Sequence, residues 1–259
     1  DFEEMTNNNE HEQHLCSRRS FLSAALATPV IVAGLPATSR TNDVKVSSPN
    51  GNVQFQLVAG DPKELSYRVT FKNNPVIDLA QIGIIIDNVD LGKNAEVGKV
   101  ETYRTNETYE SLGVHSRALN RSNGAKVGVK HSGSATNYMI EVRAFNDGIA
   151  FRHIVPANIP SDNKQRTPDE ASAFVIPAGS TLWFHDFEGH YEGIHEKKEI
   201  TEVKPGEWAA VPVTFKLPNA AGYASITESA LINYAGMGLQ ADGSRAFRAR
   251  LGHAQPVRY

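Results

Sequence analysis

The sequence predicts an all-β sandwich built from many short strands. Three observations carry that prediction. Short stretches alternate apolar and polar residues with a period of two, clusters of Gly, Pro, Asn and Asp separate them, and no segment after residue 40 sustains a helical period. With 259 residues, 40% of them hydrophobic, the chain can bury one large all-β core or two small ones. Aromatic residues at 8% argue against global disorder.

The elements follow in order. Val44-Lys45-Val46 leads into the turn-rich Ser47–Asn52, and Val53–Val58 alternates again. Leu65–Phe71 alternates strictly and is turned by Lys72-Asn73-Asn74-Pro75. Ile82–Ile86 has the continuous apolar run of a buried strand, or of a strand beside a bulge. Gly113–Gly124 is expected to be a solvated loop. Further strands are expected at Ala125–Lys130, Tyr138–Phe145, Ala150–Ile154, Ala173–Ile176, Tyr223–Thr227 and Phe247–Leu251, with another starting at Pro256. Asn146-Asp147-Gly148 predicts a hairpin, with Asp-Gly suited to a type I′ turn, and a second Asp-Gly stands at Asp242-Gly243. Ser229–Met237 fits one short helix or a long loop.

Charge and cysteine content narrow the function. The formal net charge is −3 and no basic stripe runs along any segment, which argues against nucleic-acid binding. The single cysteine, Cys16, precedes the domain, so the domain has no disulfide, no thiol nucleophile and no cysteine-ligated zinc. Residues 1–40 are expected to be a polar leader followed by an export signal, and residues 41–259 the folded domain. Ser17-Arg18-Arg19-Ser20-Phe21-Leu22 before a mildly apolar run resembles a twin-arginine signal. That run is interrupted by Pro29, Gly34 and Pro36 and is too short to span a membrane, so the mature form is expected to have no membrane span. The expected location is the periplasm or the outside of the cell. The abrupt beginning and end suggest a fragment of a longer protein.

The richest segment chemically is His185–Glu196, with four acids and three histidines in twelve residues. If it is extended, Asp186, Glu188, His190 and Glu192 share one face, while Phe187 and Tyr191 point to the core. Carboxylates suit hard cations such as Ca²⁺ and imidazoles suit Zn²⁺, and an acid/base pair is a third use. No His-Glu-x-x-His motif is present. One strand offers two or three ligands, and Ca²⁺ takes 6–8 oxygens, so other ligands would come from elsewhere. A second candidate is Glu228, at the end of the strand before Ser229–Met237. Arg143, Arg152 and Asn146 fit strand-face polar residues and turn formers. No Gly-x-Ser-x-Gly nucleophile elbow occurs.

Five blocks in order carry a resemblance: Val46–Gly51, Glu107–Glu110, Phe145–Arg152, Trp183-Phe184 leading into Tyr191-Glu192, and Ile226–Met237. This series resembles the N-terminal domain of family 97 glycoside hydrolases over roughly Val44 to Tyr259. The resemblance implies a β-supersandwich similar to galactose-mutarotase-like domains, followed by a (β/α)₈ barrel that holds the catalytic carboxylates. It implies α-glucosidase (inverting) or α-galactosidase (retaining) activity for the whole enzyme, an α-glucoside or α-galactoside substrate, and an active-site Ca²⁺. One glutamate from the N-terminal domain would reach that ion, and Trp183 and Tyr191 place it at Glu192. His190, Tyr191 and Glu228 would line the sugar pocket, and no catalytic residue is expected within this chain. Thr227 and Asn233 stand where members often have His and Asp. Two alternatives remain: a stand-alone carbohydrate-binding module using Trp183, Tyr191 and Trp208, and a mutarotase- or epimerase-like enzyme using His185, His190 and Glu228.

Overall fold

The computed structural model describes residues 43–60, 63–134, 136–156, 168–187, 192–232 and 234–252. The leader with its arginine pair, and the strand expected from Pro256, lie outside the described residues. The described residues form antiparallel strands, two short 3₁₀ turns and no α-helix.

The longest layer is an eight-stranded sheet. Its spatial order is β1 (Val44–Ser47), β2 (Val53–Ala59), β3 (Leu65–Phe71), β4 (Asn74–Gln81), β12 (Ala173–Val175), β19 (Ala246–Leu251), β18 (Met237–Ala241) and β15 (Trp208–Ala210). A four-stranded sheet runs β10 (Gly148–Ile154), β9 (Asn137–Phe145), β8 (Arg117–His131) and β7 (Ala95–Glu110). A second runs β14 (Glu196–Glu199), β13 (Thr181–Phe184), β16 (Val213–Lys216) and β17 (Tyr223–Ile226). A small sheet joins β11 (Asp169–Glu170), β5 (Ile84–Ile86) and β6 (Val89–Asp90).

Both four-stranded sheets pack on the same face of the long one. Phe174 of β12 and Phe247 of β19 stand directly opposite each other, so their side chains share a face. Phe174 meets Phe151 of β10 at 6.4 Å, and Phe247 meets Phe184 of β13 edge-on at 6.0 Å. Phe55 and Tyr67 stack at 5.4 Å and both reach Phe151, which extends the seam to β2 and β3. One buried core thus runs under both halves of a sandwich. The Tyr67 hydroxyl stays satisfied inside it by donating to the Ala173 carbonyl at 2.9 Å.

Two expectations are corrected. Arg117–Gly124 is the first half of the 15-residue β8, paired with β7 along its length, so only the tip near 111–116 is loop. The hairpin after Phe145 exists, but Phe145 pairs with Gly148, which makes Asn146-Asp147 its centre. Neither residue has the positive φ that a type I′ turn requires. That geometry occurs instead at Lys72-Asn73 (φ 48 and 67) and Asp87-Asn88 (φ 52 and 63). The Asn146 side chain has another job: its Oδ1 accepts the Asn50 N–H at 3.0 Å and ties the hairpin to the turn after β1. Ser229–Met237 resolves as loop among the described residues, not helix.

A polar network crosses the outer face of the β7–β10 sheet. Glu141 is buried and accepts from the Tyr103 hydroxyl at 2.5 Å and from Arg152 Nε at 2.7 Å. The Tyr103 ring lies over Gly124, the residue opposite it, where a Cβ would come within 2.3 Å of the ring. Burial pushes the Glu141 carboxyl up, but the hydrogen bonds from Tyr103 and Arg152 and the charges of Arg152 and Arg143 outweigh it and hold the group below 4.5. A lowered folded-state value stabilises the fold above the ordinary carboxylate range, and the benefit is lost as pH falls through the lowered value. Glu141→Gln should therefore cost about 1–3 kcal/mol at pH 7 in denaturant unfolding, with the gap to wild type closing in acid below pH 4.5.

Candidate functional site

The His185–Glu196 segment leaves the sheet at the end of β13. Phe184 is buried against Phe247, and the strand stops there. The described parts, 185–187 and 192–195, are irregular rather than extended. Glu188, His190 and Tyr191 lie outside the described residues. Phe187 points inward as its alternation suggested, while Asp186 and Glu192 are exposed.

Two contacts fix the base of this loop. On the outgoing side, the Ala210 N–H donates to the His185 carbonyl at 2.8 Å. Phe187 then meets Trp208 edge-on at 6.1 Å and covers Gly238, where a Cβ would lie 2.8 Å from its ring. On the returning side, Gly193 passes so close to His185 that a Cβ would lie 2.7 Å from Nδ1. The His195 ring stands perpendicular to that of His185 at 5.0 Å. His185 is buried, and its Nδ1 lies 2.6 Å from the Asp186 carbonyl oxygen, which makes Nδ1 the donor. His185 is therefore a wedge between the two arms of the loop, and Trp208 is a wall for Phe187. Glu192 emerges directly before the glycine that this packing demands.

Glu228 belongs to the same place. Its Oε2 accepts the Met237 N–H at 2.8 Å, which closes the loop between β17 and β18. Met237 is adjacent to Gly238, the residue under Phe187. The two segments singled out in the sequence, forty residues apart, thus meet on neighbouring residues of β18. Burial holds the Glu228 carboxyl above 4.5 despite the Met237 hydrogen bond. The closed loop displays Leu231, Ile232 and Tyr234 outward, and the first loop displays Ile194, which is 92% exposed. The described residues contain no group of three or more His, Cys, Asp or Glu side chains able to hold a metal by themselves. Sequence reasoning missed Gly193 and Gly238 because a glycine's role here is the ring that passes over it, which no local pattern records.

Comparison with known proteins decides the relationship. The family described as "Glycosyl-hydrolase 97 N-terminal" matches residues 46–258. This chain belongs to that family. A retaining alpha-galactosidase of Bacteroides thetaiotaomicron is 24% identical over 210 residues, covering 76% of this chain and 30% of that protein. A Glycoside Hydrolase Family 97 enzyme from Pseudoalteromonas sp. strain K8, solved in complex with acarbose, shares its fold with a TM-score of 0.72. It is 24% identical, over 80% of this chain and 32% of that one. A beta-arabinopyranosidase structure matches at TM-score 0.69 and 15% identity, over 80% of this chain and 35% of that one. The chain therefore spans about a third of the length of these relatives.

Two substitutions test the geometry. Gly193→Ala should force the loop off His185 and cost about 1–3 kcal/mol, the usual range for overpacking, read by thermal or denaturant unfolding. For Glu228 the sign runs the other way from Glu141: its raised folded-state value means that ionisation costs stability as pH rises from 4.5 through that value. Glu228→Gln should therefore match or exceed wild-type stability at pH 7, and lose that advantage below pH 4.5.

Proposed function

We propose that this domain forms one wall of the sugar pocket of an exported α-glycosidase and lends Glu192 to an active-site calcium ion. The family membership supports a role within a glycoside hydrolase. A relative named as a retaining alpha-galactosidase, and another solved with acarbose, support an α-galactoside or α-glucoside as the substrate. The observation that supports the reading is that Phe187, at the start of the loop that leads to Glu192, covers Gly238, next to the Met237 whose N–H binds Glu228.

These loops are suited to a partner domain. Ile194 and Ile232, 92% and 80% exposed, stand beside carboxylates on loops whose bases are fixed, and exposed apolar groups of this kind mark interaction surfaces. The partner in this proposal is the (β/α)₈ barrel, which brings the two carboxylates that glycoside hydrolysis needs. The residue types fit a hard cation, since Glu192 and Asp186 are carboxylate residues on the exposed surface, and the barrel would complete the 6–8 ligands. Bound calcium would supply Lewis-acid polarisation of a sugar oxygen. Within this chain, the His185–Gly193 contact orients the arm that ends in Glu192, and Glu228 holds its own loop closed against the same strand. No described helix is long and apolar enough to cross a membrane. Export by the twin-arginine route is part of the proposal and rests on Ser17–Leu22.

In the enzyme joined to its barrel, Glu192→Gln should weaken calcium binding by at least about 10–100-fold, the loss typical of even outer-shell partners. Glycosidase activity should fall with it and recover in part at high calcium. Unchanged activity with unchanged calcium dependence would refute the assignment.

A further inference from the structure

The outer face of the β14–β13–β16–β17 sheet carries a feature that the pocket proposal does not use. Strand register sets which residues share that face. Trp183 stands opposite Lys197 on one side and Thr214 on the other, and Thr214 opposite Ser225. One row along, Thr181 stands between Glu199 and Lys216, and Lys216 opposite Tyr223. The opposite face of the same strands holds Leu182, Phe184, Val213, Phe215 and Ile226, all buried. The first set is therefore the solvent face.

Two aromatic rings stand out on it. Tyr223 is 67% exposed, and Trp183 is half-buried beside it. Their centroids are 6.2 Å apart and their planes are tilted by 43°. Adjoining aromatic rings on an open sheet face form the kind of contiguous apolar surface that marks a ligand site. The polar neighbours are already ordered: Thr181 donates to the Glu199 carboxylate at 2.9 Å, and the hydroxyls of Thr214 and Ser225 lie 2.7 Å apart. Two lysines against one glutamate leave the face close to neutral, which suits an uncharged ligand rich in hydroxyls more than a polyanion.

We infer that Trp183 and Tyr223 form a carbohydrate-binding platform for an α-linked glucan chain, separate from the pocket at Glu192. The apolar C–H faces of pyranose rings stack on aromatic planes, and the surrounding hydroxyls, Lys197 and Lys216 hydrogen-bond the equatorial oxygens. Neighbouring rings of an α-linked glucan turn relative to each other, which matches two planes tilted by 43°, whereas those of a β-1,4-linked glucan lie in a flatter ribbon. Trp183 lies on β13 two residues before His185, so the platform neighbours the loop of Glu192 along the chain but does not share its residues.

The inference does not depend on calcium, on Glu192 or on the barrel, so it stands or falls apart from the proposed function. The test is calorimetric titration of this chain with maltohexaose and with cellohexaose. Maltohexaose is expected to bind at about millimolar strength, an energy of about 4 kcal/mol, and cellohexaose at least tenfold more weakly. Tyr223 is a surface residue, so Tyr223→Ala should leave the unfolding temperature unchanged and weaken maltohexaose binding at least tenfold. Trp183→Phe, which keeps a ring of smaller area, should weaken it less than Tyr223→Ala. No heat with maltohexaose, equal binding of cellohexaose, or full binding by Tyr223→Ala would each overturn the inference.

Discussion

The pairing of Phe174 with Phe247 across β12 and β19 is the constraint on which the molecule depends. Because the two side chains share one face, they join what would otherwise be two separate sandwiches. Phe174 binds the β7–β10 sheet through Phe151, and Phe247 binds the β13–β17 sheet through Phe184. Burying one phenylalanine contributes about 1.5–3 kcal/mol, so a seam of several such rings contributes on the scale of a domain's whole stability. The second contact also sets the position of the candidate site. Phe184 is the last residue of β13, and the loop that ends in Glu192 begins at the next residue.

From that anchor the site is built by close approach. Two glycines at its base lie under rings: Gly193 under His185, Gly238 under Phe187. Such contacts tolerate no Cβ and leave the loop base few alternatives. In the proposed reading, this constrained base is what would hold the Glu192 carboxylate in position for a ligand set completed from elsewhere. Glu228 reinforces the arrangement from the other side by accepting the Met237 N–H, and burial there raises its carboxyl above the ordinary range.

The fold was legible in the sequence where one face of a strand is buried and the other is not. Leu65–Phe71 is the clearest case, with Leu65, Tyr67 and Val69 inward and Arg68 outward. β7 left no such signal, because most of its sixteen residues are exposed and there is no apolar phase to read. β14, Glu-Lys-Lys-Glu, is held by its partner β13 and has no pattern of its own. The turn after Phe145 was located by its residues but mistyped, since register, not the Asp-Gly pair, decides which two residues form the centre. For the candidate site, the density of acids and histidines drew attention to the segment, and the resemblance put forward Glu192 within it. The packing that joins the segment to Glu228 depends on strands β15 and β18, which sequence alone did not predict.

In the proposed reading, a second domain covers the Glu192 and Glu228 loops. Hydrogen exchange measures this most directly, with the chain expressed alone and joined to the catalytic barrel. Strong added protection is expected in the joined form for peptides spanning 192–196 and 227–237, with the β7–β8 ribbon unchanged. Equal exchange of those loops in the two forms would contradict it.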